Sequence, residues 1–161
     1  MSAVLDRLLG LRLNIPTGLA LVDRNQLGEI ILQQSKDLHD QPPDAPSLNP
    51  LHTLGLYARR GIRRGIYIQT GLPRMLFLQV AAHEFAHAWQ GENCPLLDDP
   101  LVHEGFAEWV AYRVLGDYGY AHGQERMCSR TDIYGQGLRQ ILDIEVSQGL
   151  EGVFRACRSI L

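Results

Sequence analysis

Residues 75–89 read MLFLQVAAHEFAHAW, a stretch apolar on nearly every face of a helix. Apart from Gln79, its polar side chains are His83, Glu84 and His87. So apolar a helix belongs inside a core, where ionisable groups are costly unless paired or bound to a metal. The sequence PLVHEGFAEWVAYRVL at 100–115 poses the same problem with Glu104 and Glu108. The fold must therefore bring these two helices together so that each neutralises the other's polar groups.

The spacing says how. His83 and His87 stand at i and i+4, on one helical face, and Glu84 is rotated by about 100° beside them. This is HExxH, in which two imidazoles hold one Zn²⁺ while a carboxylate reaches the water that the metal activates. With 6 His in the chain, chance alone would produce the pattern about once in a hundred such sequences. Glu104 and Glu108 repeat the i, i+4 arrangement, and Gly105 between them predicts a close approach of the two helices. One Zn²⁺ per chain would satisfy both helices, with His83, His87 and Glu104 as ligands and a fourth position open. Glu108 then accepts the outer N–H of a ligand histidine and fixes its tautomer. The competing reading is a buried polar network whose histidines are satisfied by backbone carbonyls.

The remaining sequence predicts a single domain over 1–161, built as α+β. Residues 1–73 form a helix, loop and strand part, and 74–161 a mainly helical, metal-binding part. An N-terminal amphipathic helix (2–12) precedes a short strand, Leu19–Val22, and a helix over 27–34. Pro42, Pro43, Pro46 and Pro50 make 36–53 a loop, holding His39 and His52 as solvated residues. Strands Leu54–Arg59 and Gly65–Thr70 read as an antiparallel hairpin. Its tip carries Arg59, Arg60, Arg63 and Arg64, a solvated end or a docking patch for an acidic partner. Helices over 74–90, closed by Gly91, and over 100–115 follow, then a loop over 116–135 and helices over 136–147 and 150–160. His103 lines the cleft, and Trp89 and Trp109 read as core.

Composition narrows the function. A net charge of −3, from 15 basic and 18 acidic residues, offers no footprint for a nucleic-acid backbone. No apolar run is long enough to span a membrane, and Asp6, Arg7 and Arg12 interrupt the N-terminal one, which excludes a signal peptide. Three cysteines without a CxxC pair exclude a zinc finger and favour a reduced compartment, hence the cytoplasm.

HEFAH followed by EGFAE resembles the gluzincin metallopeptidases, among them thermolysin and aminopeptidase N. The 16 residues between His87 and Glu104, with IYIQTGLPRML leading into AAHEFAHAW, look more like the peptidase domain of the plant DA-one family of LIM-domain growth regulators. YGQGLRQIL at 134–142 is similar to that family's Tyr-Gly-x-Gly stretch. The resemblance spans about residues 15–155 and is strongest over 66–112. The LIM and ubiquitin-interacting segments have no counterpart here, so what it implies is a stand-alone, zincin-like minimal peptidase acting on a peptide or protein, with any activating or docking partner unknown. Glu84 becomes the general base. Of Tyr118, Tyr120, His122 and Tyr134 as oxyanion donors, the resemblance selects Tyr134. It also implies that Ile66, Tyr67, Ile68, Gln69 and Thr70 form an exposed edge strand that pairs with substrate. A catalytically silent or latent zinc-stabilised peptide-binding domain is the alternative.

Overall fold

The computed structural model describes residues 1–37, 53–60 and 63–158. In chain order these form α1 (Ser2–Leu9), β1 (Gly18–Val22), α2 (Arg24–Asp37), β2 (Gly55–Arg60), β3 (Arg63–Gln69), α3 (Arg74–Asn93), α4 (Pro100–Asp117), α5 (Ala121–Cys128) and α6 (Ile133–Arg158). Most of the loop expected over 36–53, with His39 and His52, lies outside the described residues.

Local chemistry sets most boundaries. Gly10, at φ 66°, ends α1 in the left-handed conformation, short of the expected end at residue 12. Asp99 caps α4 by accepting from Leu101 and Val102 N–H, and Pro100 occupies the first helical position. Gly91 does not stop α3, which continues to Asn93; a helical glycine costs only about 1 kcal/mol, less than the surrounding burial returns. The expected loop over 116–135 contains α5. α6 breaks at Gly149, φ 68°, into the two predicted segments.

The sheet departs from expectation. β2 and β3 pair antiparallel, but β1 pairs parallel to β3, giving the order β1-β3-β2 in a mixed sheet. β2 runs opposite to β3 across the hairpin, and β1, joined to that hairpin by a connection that includes α2, runs the same way as β3. Ile66 and Ile68 of β3 join the main core with α3, while Leu56 and Ala58 of β2 pack on Leu27 and Ile31 of α2. The sheet is therefore enclosed between α2 and α3.

α4 is the centre of the domain. Phe106, Ala107, Trp109, Val110, Ala111, Val114 and Leu115 are fully buried. Trp89, Phe106, Trp109 and Phe154 stack across α3, α4 and α6, with ring centroids 5.4–6.3 Å apart. The Trp109 indole N–H donates to Glu145 at 2.7 Å, so this buried ring loses no hydrogen bond. No helix among the described residues is long and apolar enough to cross a membrane.

Candidate metal centre

α3 and α4 present their polar groups to each other at the floor of a cleft of about 720 Å³. His83 Nε2 and His87 Nε2 stand 2.9 Å apart, and each is 3.4 Å from Glu104 Oε2. These three side chains form a group able to hold a metal ion.

The hydrogen bonds around them determine which way the lone pairs point. His87 Nδ1 lies 2.9 Å from Gln90 Oε1, and the Gln90 amide is oriented by its Nε2 donating to His103 O at 2.9 Å. Nδ1 of His87 therefore carries the proton. His83 Nδ1 faces Glu108 Oε1 at 3.1 Å, though too obliquely for a well-aligned hydrogen bond, and a carboxylate there also favours Nδ1–H. Both Nε2 atoms then aim lone pairs at each other beside Glu104 Oε2, a buried oxygen without a hydrogen-bond partner. Three converging electron-rich atoms need a cation between them.

A metal fits that requirement. Tetrahedral Zn²⁺ with ligands at about 2.0–2.1 Å sets neighbouring ligand atoms about 3.3 Å apart, close to both His–Glu separations. Without a metal, a proton takes its place. Burial works against a charged His83, but Glu104 and Glu108 outweigh it and raise its pKa well above 6.5. Burial likewise opposes ionised Glu104, yet His103, His83 and His87 hold its carboxyl far below the usual range.

Glu84 occupies the adjacent face of α3, where β2 crosses. It accepts the Tyr57 N–H at 2.7 Å. Only glycine permits this approach: a Cβ on Gly55 would fall 2.4 Å from Val80 Cγ1 and 3.1 Å from Glu84 Cγ. Gln69 N–H donates to Leu54 O, so Leu54, Leu56 and Ala58 bond to β3, while Gly55 and Tyr57 turn their N–H and C=O outward. The outward Tyr57 C=O receives Gln34 Nε2 at 3.5 Å.

This overturns the expectation for Ile66, Tyr67, Ile68, Gln69 and Thr70. Their strand is central in the sheet, bonded to β1 and β2 on its two sides, and does not line the cleft. The edge beside the metal group is β2, whose Gly55, Leu56 and Tyr57 do line it. In sequence the two hairpin strands look alike; β1 pairing with the second one decided which became the edge.

Tyr134, in the first turn of α6, has its ring 6.0 Å from that of His83. Burial first, then the nearby carboxylates, push its pKa up to about 12, keeping the hydroxyl protonated. The alternatives lie elsewhere: Tyr118 packs under Arg74, Tyr120 packs against the core, and the His122 side chain is 90% exposed. His103 does line the cleft, stacked on His87 at 4.5 Å. Cys94 does not line the cleft; its sulfur meets Cys157.

Sequence reading missed Gln90 and Arg130. Arg130 lies over the Tyr134 ring at 4.6 Å, bonds Asp132 with two nitrogens and stands 3.9 Å from Glu108. It thus joins the tyrosine to the carboxylate behind His83. The two glycines of YGQG have separate packing reasons. A Cβ on Gly135 would strike Arg130 O at 2.2 Å, and one on Gly137 would strike Leu101 O at 2.5 Å and Gly105 Cα at 2.7 Å. The close approach predicted at Gly105 therefore occurs between α4 and α6, not between α4 and α3. Comparison of the chain with protein-family models, with curated proteins and with solved structures finds no match.

Proposed function

We propose that this protein is a zincin-like, zinc-dependent peptidase, with His83, His87 and Glu104 as the metal ligands. The observation that carries the reading is the convergence of two imidazole lone pairs and an unpartnered carboxylate oxygen beside Glu84, in an open cleft. Zn²⁺ suits a His₂Glu set with an open position, and when bound it supplies a Lewis acid for a carbonyl and acidifies water.

The side chains supply the rest. In this reading Glu84 takes a proton from water and returns it to the leaving amine. Its present donor, the Tyr57 N–H, belongs to the edge that an extended peptide would join, with Gly55 and Tyr57 offering main-chain hydrogen bonds. Substrate pairing would therefore free the carboxylate it needs. Tyr134, protonated across the working range, donates to the developing oxyanion. Glu108 and Gln90 hold the ligand histidines in the required tautomers, and Arg130 steadies Glu108 and Tyr134.

One observation favours a second reading, a zinc-stabilised peptide-binding domain: the Glu84–Tyr57 bond gives Glu84 a bracing role that needs no chemistry. Glu84→Gln separates the two. For a peptidase, the variant keeps one zinc per chain and loses turnover of a peptide library; a Glu84→Gln protein that cleaves like the wild type refutes the assignment.

A further inference from the structure

Behind the metal helix, Cys94 caps α3 and Cys157 lies near the end of α6, 6% and 0% exposed. Their sulfurs are 3.2 Å apart. A disulfide needs about 2.05 Å, so closure requires roughly 1.1 Å of sulfur movement. Both cysteines also grip Gln90. Cys94 N–H donates to Gln90 O at 2.8 Å, and Gln90 Nε2 donates to Cys157 Sγ at 3.7 Å. Gln90 is 2% exposed and its Oε1 faces His87 Nδ1. One buried amide thus stands between the sulfur pair and a ligand histidine.

We propose that Cys94 and Cys157 are a reversible thiol–disulfide site, oxidised by hydroperoxides, whose state reaches the metal centre through Gln90. The coupling rests on the metal reading above; the formation of the bond does not.

Cys94 is the attacking sulfur. The Cys157 hydrogen bond lowers its pKa, burial opposes this, and the Arg158 guanidinium adds to the lowering; the same shared hydrogen bond pushes the Cys157 thiol up. The Cys94 thiolate attacks a peroxide oxygen, the O–O bond breaks, Cys94 becomes a sulfenic acid, and the departing hydroxide takes up the proton that the Cys94 thiol had released and leaves as water. Cys157 then attacks the Cys94 sulfur, the S–S bond forms, and the hydroxyl departs with the Cys157 proton as a second water. Two thiols lose two electrons and hydrogen peroxide gains them. Closing the bond moves the sulfur that accepts from Gln90 Nε2 and the residue whose N–H caps the Gln90 carbonyl, so both contacts of Gln90 change with the redox state. Gln90 Oε1 then no longer holds His87 Nδ1 as firmly, and loss of such a partner costs about 10–100-fold in metal affinity.

The test uses the full, zinc-loaded chain carrying Cys128→Ser, which removes the third cysteine. Hydrogen peroxide is added, and the protein is denatured, alkylated and weighed. The expected result is no alkylatable thiol, a Cys94–Cys157 cross-linked peptide, and recovery of both thiols with dithiothreitol. Zinc transfer to a chromogenic chelator should be about tenfold faster from the oxidised form. Cys157→Ser, with Cys94→Ala in reserve should the first not fold, should make zinc release indifferent to peroxide. Thiols that stay alkylatable, or cysteines oxidised separately to sulfinic acids, overturn the pair. Equal zinc release from the two redox forms overturns the coupling. A reduced protein that binds no zinc refutes the metal reading instead, and the cross-link still decides the thiol pair.

Discussion

Replacing Gly137 by alanine tests how α6 is held against the metal helix pair. The added Cβ would lie 2.5 Å from Leu101 O, 2.7 Å from Gly105 Cα and 2.9 Å from Gly105 N. All three are backbone atoms, so no side-chain rotation relieves the contact. Bringing the closest of them to ordinary van der Waals distance moves α6 from α4 by roughly 0.9 Å, in a core that tolerates little overpacking. The cost is about 1–3 kcal/mol, or a fall in Tm of ~2–12 °C at about 2–4 °C per kcal/mol for a chain of this size. Gly28→Ala is the control: its Cβ meets nothing within 4 Å on α2, and the change should raise stability by about 0.5–1 kcal/mol. Thermal denaturation of the three proteins reads the effect. Because α4 carries Glu104 and α6 carries Tyr134, Gly137→Ala should also weaken zinc retention or turnover. A Gly137→Ala protein with wild-type Tm would refute the claim that the two backbones touch there.

Three further outcomes follow from the site. Zinc at about 100 times its Kd should stabilise the wild type by about 2.7 kcal/mol, a rise of ~5–11 °C, and Glu104→Ala should show almost none of it; equal shifts in both would remove Glu104 from the ligand set. In chelator-treated protein, His83 has a raised pKa, so its contribution is complete below pH 6.5 and lost as pH rises through the folded value. Glu104 has a depressed one, contributing above pH 4.5 and losing that as pH falls through its folded value. These two groups together contribute most between pH 4.5 and 6.5, while His103, whose pKa burial lowers, opposes them below 6.5; a melting profile flat from pH 6.5 up to about 9 would contradict the His83 contribution. Tyr134→Phe should lower kcat by about 10²–10³ with zinc content unchanged, as loss of an oxyanion donor does; wild-type kcat would refute that role.

Much of the His–Glu group was legible in the sequence, because a helix repeats every 3.6 residues and is its own ruler. His83 with His87, and Glu104 with Glu108, needed only that period and the apolar background that made their charges expensive. Sequence could not reveal whose side chains would meet them from other elements. Gln90 reads as one more polar residue at the end of a helix, and Arg130 as loop. Their roles depend on where α6 and the segment before it return to α3 and α4.

The sheet marks the same division from the other side. Strand identity came from alternation and β-branched residues, which are local. Which strand of the hairpin became an edge among the described residues depended on β1 pairing with β3 across more than forty residues, a choice no local pattern encodes. Gly105 shows it most sharply. Its missing side chain announced a close contact, but a glycine names no partner, and only the packing of the three helices assigned that contact to Gly137. By itself the sequence determined the α+β class, the two buried helices and the side chains that converge between them, through periodicity and the cost of burying charge. The tertiary structure alone decided the edge strand, the partners that orient His83 and His87, and the meeting of Cys94 with Cys157, because those depend on contacts between residues far apart in the chain.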